Sequence, residues 1–141
     1  MIWDAKTQNM LVAAALEARS AAYAPYSGYA VGAALLTIND KLYTGCNIEN
    51  ASYGATNCAE RTAFYKAVCE GEKEFCAIAI AGGIVGQAPA DYAYPCGVCR
   101  QVMQEFCEKD FKIIVAKGIN DFKIYTLEEL LPYSFQGESI R

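Results

Sequence analysis

The 141 residues include no histidine. That absence removes every serine–histidine or cysteine–histidine nucleophile and every imidazole-ligated metal at once, so catalysis here must run on Cys, Glu, Asp, Lys, Tyr or a metal. Charge is also scarce: Asp, Glu, Lys and Arg make up 20% of the chain against 54% hydrophobic residues. This leaves too little polar material to cover a monomer comfortably and predicts a homo-oligomer. Basic residues are outnumbered, with a net charge of −4 and no Lys/Arg cluster, which argues against a nucleic-acid polymer as partner. The start, Met1 to Lys6, lacks the charged and apolar regions of a signal peptide. The most apolar stretch, Cys76 to Gly86, is too short and too rich in glycine to span a bilayer, so no membrane partner is expected. The 7 cysteines stand at positions 46, 58, 69, 76, 96, 99 and 107. An odd number without a secretion signal points to a reducing, cytoplasmic setting rather than a disulfide framework. A chain of this length fits one domain, 1–141, with a core of its own.

No repeat, low-complexity tract or linker divides the chain. Thr7 is expected to cap a helix running to about Ala22, with Met10, Leu11, Ala14, Ala15, Ala18 and Ala21 on its apolar face. Tyr29 to Ile38 and Lys41 to Ile48 read as a hairpin turning at Asn39-Asp40. Asn57 or Cys58 opens a second helix that Gly71 closes, and Phe75 to Ile80 is a buried strand. After a Gly/Pro-rich loop over 81–95, Pro95 introduces a helix from Cys96 to Cys107. Phe111 to Ala116 and Phe122 to Thr126 are two more strands, and Thr126 to Glu129 is a capping box for a short last helix stopped by Pro132. The order αββαβαββα gives an α/β fold, a three-layer α/β/α arrangement with a mixed five-stranded sheet.

Cys58-Ala59-Glu60-Arg61 and Pro95-Cys96-Gly97-Val98-Cys99 carry the chemistry. Cys96 and Cys99 stand three apart at a helix start, so their sulfurs can face one point. Cys58 starts another helix, and helix N-termini favour the thiolate that binds metal. Three thiolates leave one tetrahedral corner of a zinc free for water, the mark of a catalytic site. A closed four-cysteine zinc, with Cys46 or Cys107 as fourth ligand, and a redox dithiol also fit these residues. Glu60 discriminates between them. At that spacing a carboxylate reaches the water without ligating the metal, although a solvated first-turn glutamate is an ordinary alternative. Arg61 has two readings as well, a surface ion pair or a donor to the ligand sulfurs. Three thiolates overcompensate the zinc charge, and an arginine at the sulfurs would draw that density back.

The ligand-x-Glu followed by Pro-Cys-x-x-Cys is the layout of zinc-dependent deaminases. Beyond that pattern the chain resembles the short cytidine deaminases over about residues 23–135. The resemblance rests on Pro25-Tyr26-Ser27, Val31 to Leu35, Gly45 to Ala51, Cys58 to Ala63, Pro95 to Gln101 and Glu129 to Pro132. It implies one zinc per chain on Cys58, Cys96 and Cys99, proton transfer by Glu60, and Arg61 at the ligand sulfurs. It further implies that Asn47 and Glu49 hold the ribose hydroxyls and that backbone near Ala59 contacts the pyrimidine. Ala51, Tyr53 and Phe135 would complete a neighbouring subunit's pocket, and Tyr29 would stack on the base where the family commonly has phenylalanine. The implied activity is hydrolytic deamination of cytidine and deoxycytidine in pyrimidine salvage, by a cytoplasmic homotetramer. A deaminase of nucleic acid and a structural zinc module are the rival readings.

Overall fold

The computed structural model describes residues 2–140, apart from the Ser139 side chain. Helix α1 (Ala5–Ala18) runs into a single 3-10 turn, Arg19–Ala21, and leads to strands β1 (Tyr29–Thr37) and β2 (Leu42–Cys46). Helix α2 (Ala59–Cys69), strand β3 (Phe75–Ile84), helix α3 (Gly97–Phe106), strands β4 (Lys112–Gly118) and β5 (Asp121–Thr126) and helix α4 (Leu127–Leu130) follow. They form one five-stranded sheet in the order β2-β1-β3-β4-β5. Only β3 and β4 pair in parallel, joined by the crossover through α3; the other pairs are antiparallel. The expected mixed sheet with helices on both faces is therefore observed.

Three local expectations are corrected. The cap of α1 is Asp4, whose carboxylate accepts the Thr7 N–H at 2.9 Å. Thr7 sits one turn inside, buried, with its hydroxyl donating back to the Ile2 carbonyl. The helix buries Thr7, Leu11, Val12 and Ala15, while Ala21 is exposed, so its core-facing stripe lies nearer Val12 than the alanine pattern suggested. Strand β3 does not stop at Ile80. It continues through Gly82 and Gly83 to Ile84, because β1 offers partners along its whole length, down to Tyr29 opposite Ile84.

Alternation along the strands separates two cores. Ala34 and Leu36 of β1, Ala77, Ala79 and Ala81 of β3, and Ile114 and Ala116 of β4 face α1. Ala33, Leu35, Ile78, Ile80, Ile113 and Val115 face the other way, against Phe64 of α2 and Met103 of α3. Two glycines set how closely the helices lie. At Gly32 a Cβ would collide with the Ala15 carbonyl oxygen of α1. At Gly45 it would come within 2.5 Å of the Ala59 carbonyl oxygen and 2.6 Å of the Ala63 nitrogen. The first turn of α2 therefore lies directly on β2, a contact only a residue without a side chain permits.

Candidate metal centre and active site

Cys58 is the N-cap of α2 and Cys96 the N-cap of α3, each in extended conformation just before its helix, with Cys99 in the first turn of α3. The three sulfurs lie within 4.8 Å of one another, and Cys58 and Cys96 are 3.8 Å apart. Zinc–sulfur bonds of about 2.3 Å at tetrahedral angles place neighbouring sulfurs about 3.8 Å apart, so the donor set fits zinc. Among the described residues no other group of Cys, Asp or Glu converges in this way. Cys107 caps the far end of the ten-residue α3, about 15 Å away along its axis. Cys46 lies opposite Gly32 and so on the α1 face of the sheet. Neither supplies a fourth sulfur, and the closed four-cysteine site finds no support.

Electrostatics around the sulfurs favours thiolate at Cys58. A hydrogen bond from Cys99, helped by the Arg61 guanidinium, pulls the Cys58 thiol down to about 5 against the cost of its burial. Cys99, the donor in that bond and itself buried, is held well above the usual thiol range. Arg61 Nη2 donates to Cys58 Sγ at 3.2 Å. Burial works against the Arg61 charge, but its hydrogen bonds to Cys58 and Cys99 more than offset this. Its Nε is buried and has no hydrogen-bond partner among the described residues. Arg61 therefore hydrogen-bonds a sulfur of the cluster.

Glu60 is 4% exposed and is the only buried carboxylate among the described residues. It points inward from the first turn of α2, not out to solvent as an ordinary first-turn glutamate does. Burial, reinforced by the negative Cys58, raises its carboxyl to about 7, partly countered by hydrogen bonds from its own backbone and from Cys99. A buried carboxyl that titrates near neutrality beside a three-sulfur cluster is suited to taking and giving protons.

The other expected residues lie on β1, in the loop between β2 and α2, and in the tail after α4. Tyr29 continues the alternation of Val31, Ala33 and Leu35, and its ring lies against Gly82 and Ala93. Asn47 follows β2; its amide oxygen accepts the Val31 N–H at 2.9 Å and its amide nitrogen donates to the Tyr29 carbonyl at 2.8 Å. The Glu49 carboxylate accepts from the Tyr26 and Ser27 backbone and from the Ser27 hydroxyl. Ala51 and Tyr53 occupy the loop between β2 and α2, where Tyr53 begins a short 3-10 turn and is 80% exposed. Phe135, in the tail after α4, is 58% exposed, and its carbonyl accepts from Gln101. Two contributors carried no role in the sequence reading. Arg100 donates to the Pro95 carbonyl at 2.7 Å and the Leu130 carbonyl at 2.6 Å, fastening the approach to Cys96 onto α4. Ser27 is the other. A Pro-Tyr-Ser-Gly turn just before a strand was its signal, but its carboxylate partner, Glu49, is distant in sequence.

Comparison with known proteins agrees with this geometry. Residues 5–116 match the family model described as the cytidine and deoxycytidylate deaminase zinc-binding region. A cytidine deaminase of Halalkalibacterium halodurans is 46% identical over 133 residues, covering 94% of this chain and 97% of that protein. One of Sporosarcina psychrophila is 44% identical over 130 residues, 92% of each. The crystal structure of a cytidine deaminase from Burkholderia pseudomallei superposes with a TM-score of 0.80 at 44% identity, covering 89% of this chain and 97% of that one. With the match spanning most of the chain and the three-sulfur centre in place, this protein belongs to the zinc-binding family of cytidine and deoxycytidylate deaminases.

Proposed function

We propose that the chain hydrolyses cytidine and 2′-deoxycytidine to uridine and 2′-deoxyuridine, with release of ammonia, as a cytoplasmic enzyme of pyrimidine salvage. The observation that carries this reading is the buried Glu60 beside three convergent sulfurs. What zinc supplies when held by Cys58, Cys96 and Cys99 is Lewis acidity that brings a water's pKa toward neutrality. Glu60 is the group that would take a proton from a water and give it to ring N3 as the C4–O bond forms. It would then carry the proton of the hydroxyl added at C4 to the amine, so that the C4–N bond breaks, ammonia leaves and the C4 carbonyl remains. Arg61 hydrogen-bonds the ligand sulfurs and so limits the electron density they push onto the metal.

In the same reading the Tyr29 ring stacks on the base, a polarised face that tyrosine provides as well as phenylalanine. Asn47 and Glu49 hold the ribose hydroxyls, and the backbone at Ala59 touches the pyrimidine. The centre of a single chain is open: Cys96 is exposed, and Tyr53 and Phe135 project into solvent. That openness supports a homotetramer in which Ala51, Tyr53 and Phe135 close a neighbour's pocket. All seven cysteines are free, in keeping with a reducing compartment. Among the described residues no helix is long and apolar enough to cross a membrane.

The test is to incubate pure zinc-loaded protein with cytidine and follow the absorbance change and ammonia. A structural zinc module keeps its metal and releases none. Mixing Glu60→Gln with Phe135→Ala subunits, each poorly active alone, should restore activity if sites are shared. Full activity in a demonstrably monomeric sample would remove the shared-site part of the reading.

A further inference from the structure

We infer that Ser27 is a positioning residue that couples the sugar-holding Glu49 to the base-stacking Tyr29, so that sugar recognition and the seat of the ring are one hydrogen-bonded unit. The inference rests on the deaminase reading above, and it adds a residue and a linkage to it. Its basis is a chain of contacts through one hydroxyl. Ser27 Oγ donates to Glu49 Oε2 at 2.5 Å and accepts the Tyr29 N–H at 3.0 Å. Glu49 Oε1 accepts the Tyr26 and Ser27 N–H groups at 3.0 and 3.1 Å. From the other side the Asn47 amide holds the Tyr29 carbonyl. Both peptide groups that fix the direction of the Tyr29 side chain are thus tied, directly or through Ser27, to the two residues assigned to the ribose.

The stoichiometry of donors and acceptors supports the linkage. A carboxylate has about four acceptor positions. The turn takes three at Glu49, which leaves room for a sugar hydroxyl without releasing the turn. A hydroxyl that donates to a carboxylate becomes a better acceptor, so the strength of the bond to the Tyr29 N–H depends on Glu49. The turn itself has little else to hold it. Gly28 adopts φ of +67°, and the segment is otherwise fastened by the bonds from Gly28 N–H to Ala24 and from Val85 N–H to Gly28. The ring it aims rests on Gly82, where an added Cβ would come within 2.9 Å of a ring carbon, so a small rotation of Tyr29 has nowhere to go on that side.

The test is a double-mutant cycle on the zinc-loaded enzyme with cytidine, comparing wild type, Ser27→Ala, Tyr29→Ala and the double variant. Ser27→Ala should raise KM about tenfold with a smaller loss in kcat, since the chemistry at C4 is untouched. In the Tyr29→Ala background, with no ring to aim, the same change should cost less than about twofold. Ser27→Thr and Ser27→Val, which share a shape and differ in the hydroxyl, read the same effect if Ser27→Ala lowers the folded fraction. Threonine should restore kcat/KM to within about threefold of wild type, and valine should not. Equal losses from Ser27→Ala in both backgrounds, or equal behaviour of threonine and valine, would overturn the linkage while leaving the deaminase reading intact. A wild-type protein that leaves cytidine unchanged would overturn both.

Discussion

The two faces of the sheet are built from different materials and do different work. Under α1 the sheet is paved with Ala34, Ala77, Ala79, Ala81 and Ala116, and Leu11, Val12 and Ala15 of the helix settle onto it. Under α2 and α3 the packing is aromatic. Phe64 of α2 meets Phe75 edge-on at 5.1 Å and stacks with Phe106 of α3 at 6.3 Å. The small side chains give a close, featureless contact. The rings lock the later turns of α2 and α3 to each other and to the sheet. Their N-termini are then fixed in space with unsatisfied N–H groups and room for functional side chains, and Cys58, Cys96, Cys99 and Glu60 stand there. What separates the two faces is whether rigid helix ends are aimed at a common point.

The largest effect should come from removing the sulfurs. Cys58→Ala, Cys96→Ala and Cys99→Ala should each lose most of the bound zinc and all measurable turnover, whereas Cys46→Ala and Cys107→Ala retain about one zinc per chain by metal analysis. Zinc lost from folded Cys46→Ala or Cys107→Ala would move the metal site and dissolve the contrast between faces. Next comes Glu60→Gln, which should keep zinc and fold yet lower kcat by ~10³–10⁴-fold or more, since one group carries more than one proton transfer. Near wild-type turnover in that variant would rule out the proposed proton path.

The glycines sharpen the comparison, because each lets a helix touch the sheet on one face. Gly45→Ala pushes Ala59 and Ala63, and with them Cys58 and Glu60, off β2. Overpacking of this kind typically costs ~1–3 kcal/mol or more, and here it should also lower zinc affinity and kcat by at least about tenfold. Gly32→Ala makes a comparable collision with α1. It should cost as much in denaturant stability and far less in kcat among folded molecules. Parallel zinc titration and urea unfolding of the two variants is the measurement, and equal losses of zinc affinity would mean the faces are mechanically joined.

Much of this was legible in the residues. Cysteine and glutamate in that spacing are chemically specific, and two hydrophobic periods placed them at helix starts, so the centre could be assembled on paper. The number of strands and their order along the chain followed from alternation and turn residues, whereas their order in the sheet did not. What stayed hidden depended on the third dimension. Asp4 and Thr7 both cap helices well, and only the burial of Thr7 decides between them. Gly82-Gly83 reads as a loop until β1 is seen to extend beside it and Tyr29 to need the space. Asn47 and Glu49 look like turn residues or sugar ligands, and their hold on the Tyr29 backbone crosses from one loop to another. The turn before β1 marks Ser27, but its carboxylate partner Glu49 stands 22 residues away, beyond any local signal.

The smallest effect on chemistry should come from a large insult to the quiet face. Leu11 is fully buried in the α1 core, against Ala and Ile side chains that cannot expand to fill a void. Leu11→Ala removes its transfer free energy and leaves a cavity, together ~2–5 kcal/mol. That is a large share of the stability of an ordinary domain. The cavity is separated from Cys58 and Glu60 by the sheet, whose opposite side is held by the aromatic cluster. The loss should therefore appear in the urea midpoint and melting temperature, with kcat and KM for cytidine unchanged within about twofold below the transition. Zinc affinity of the folded fraction should not move either. A tenfold fall in kcat at a temperature where Leu11→Ala is fully folded would show that the alanine-paved face transmits strain through the sheet, and that the site depends on both layers.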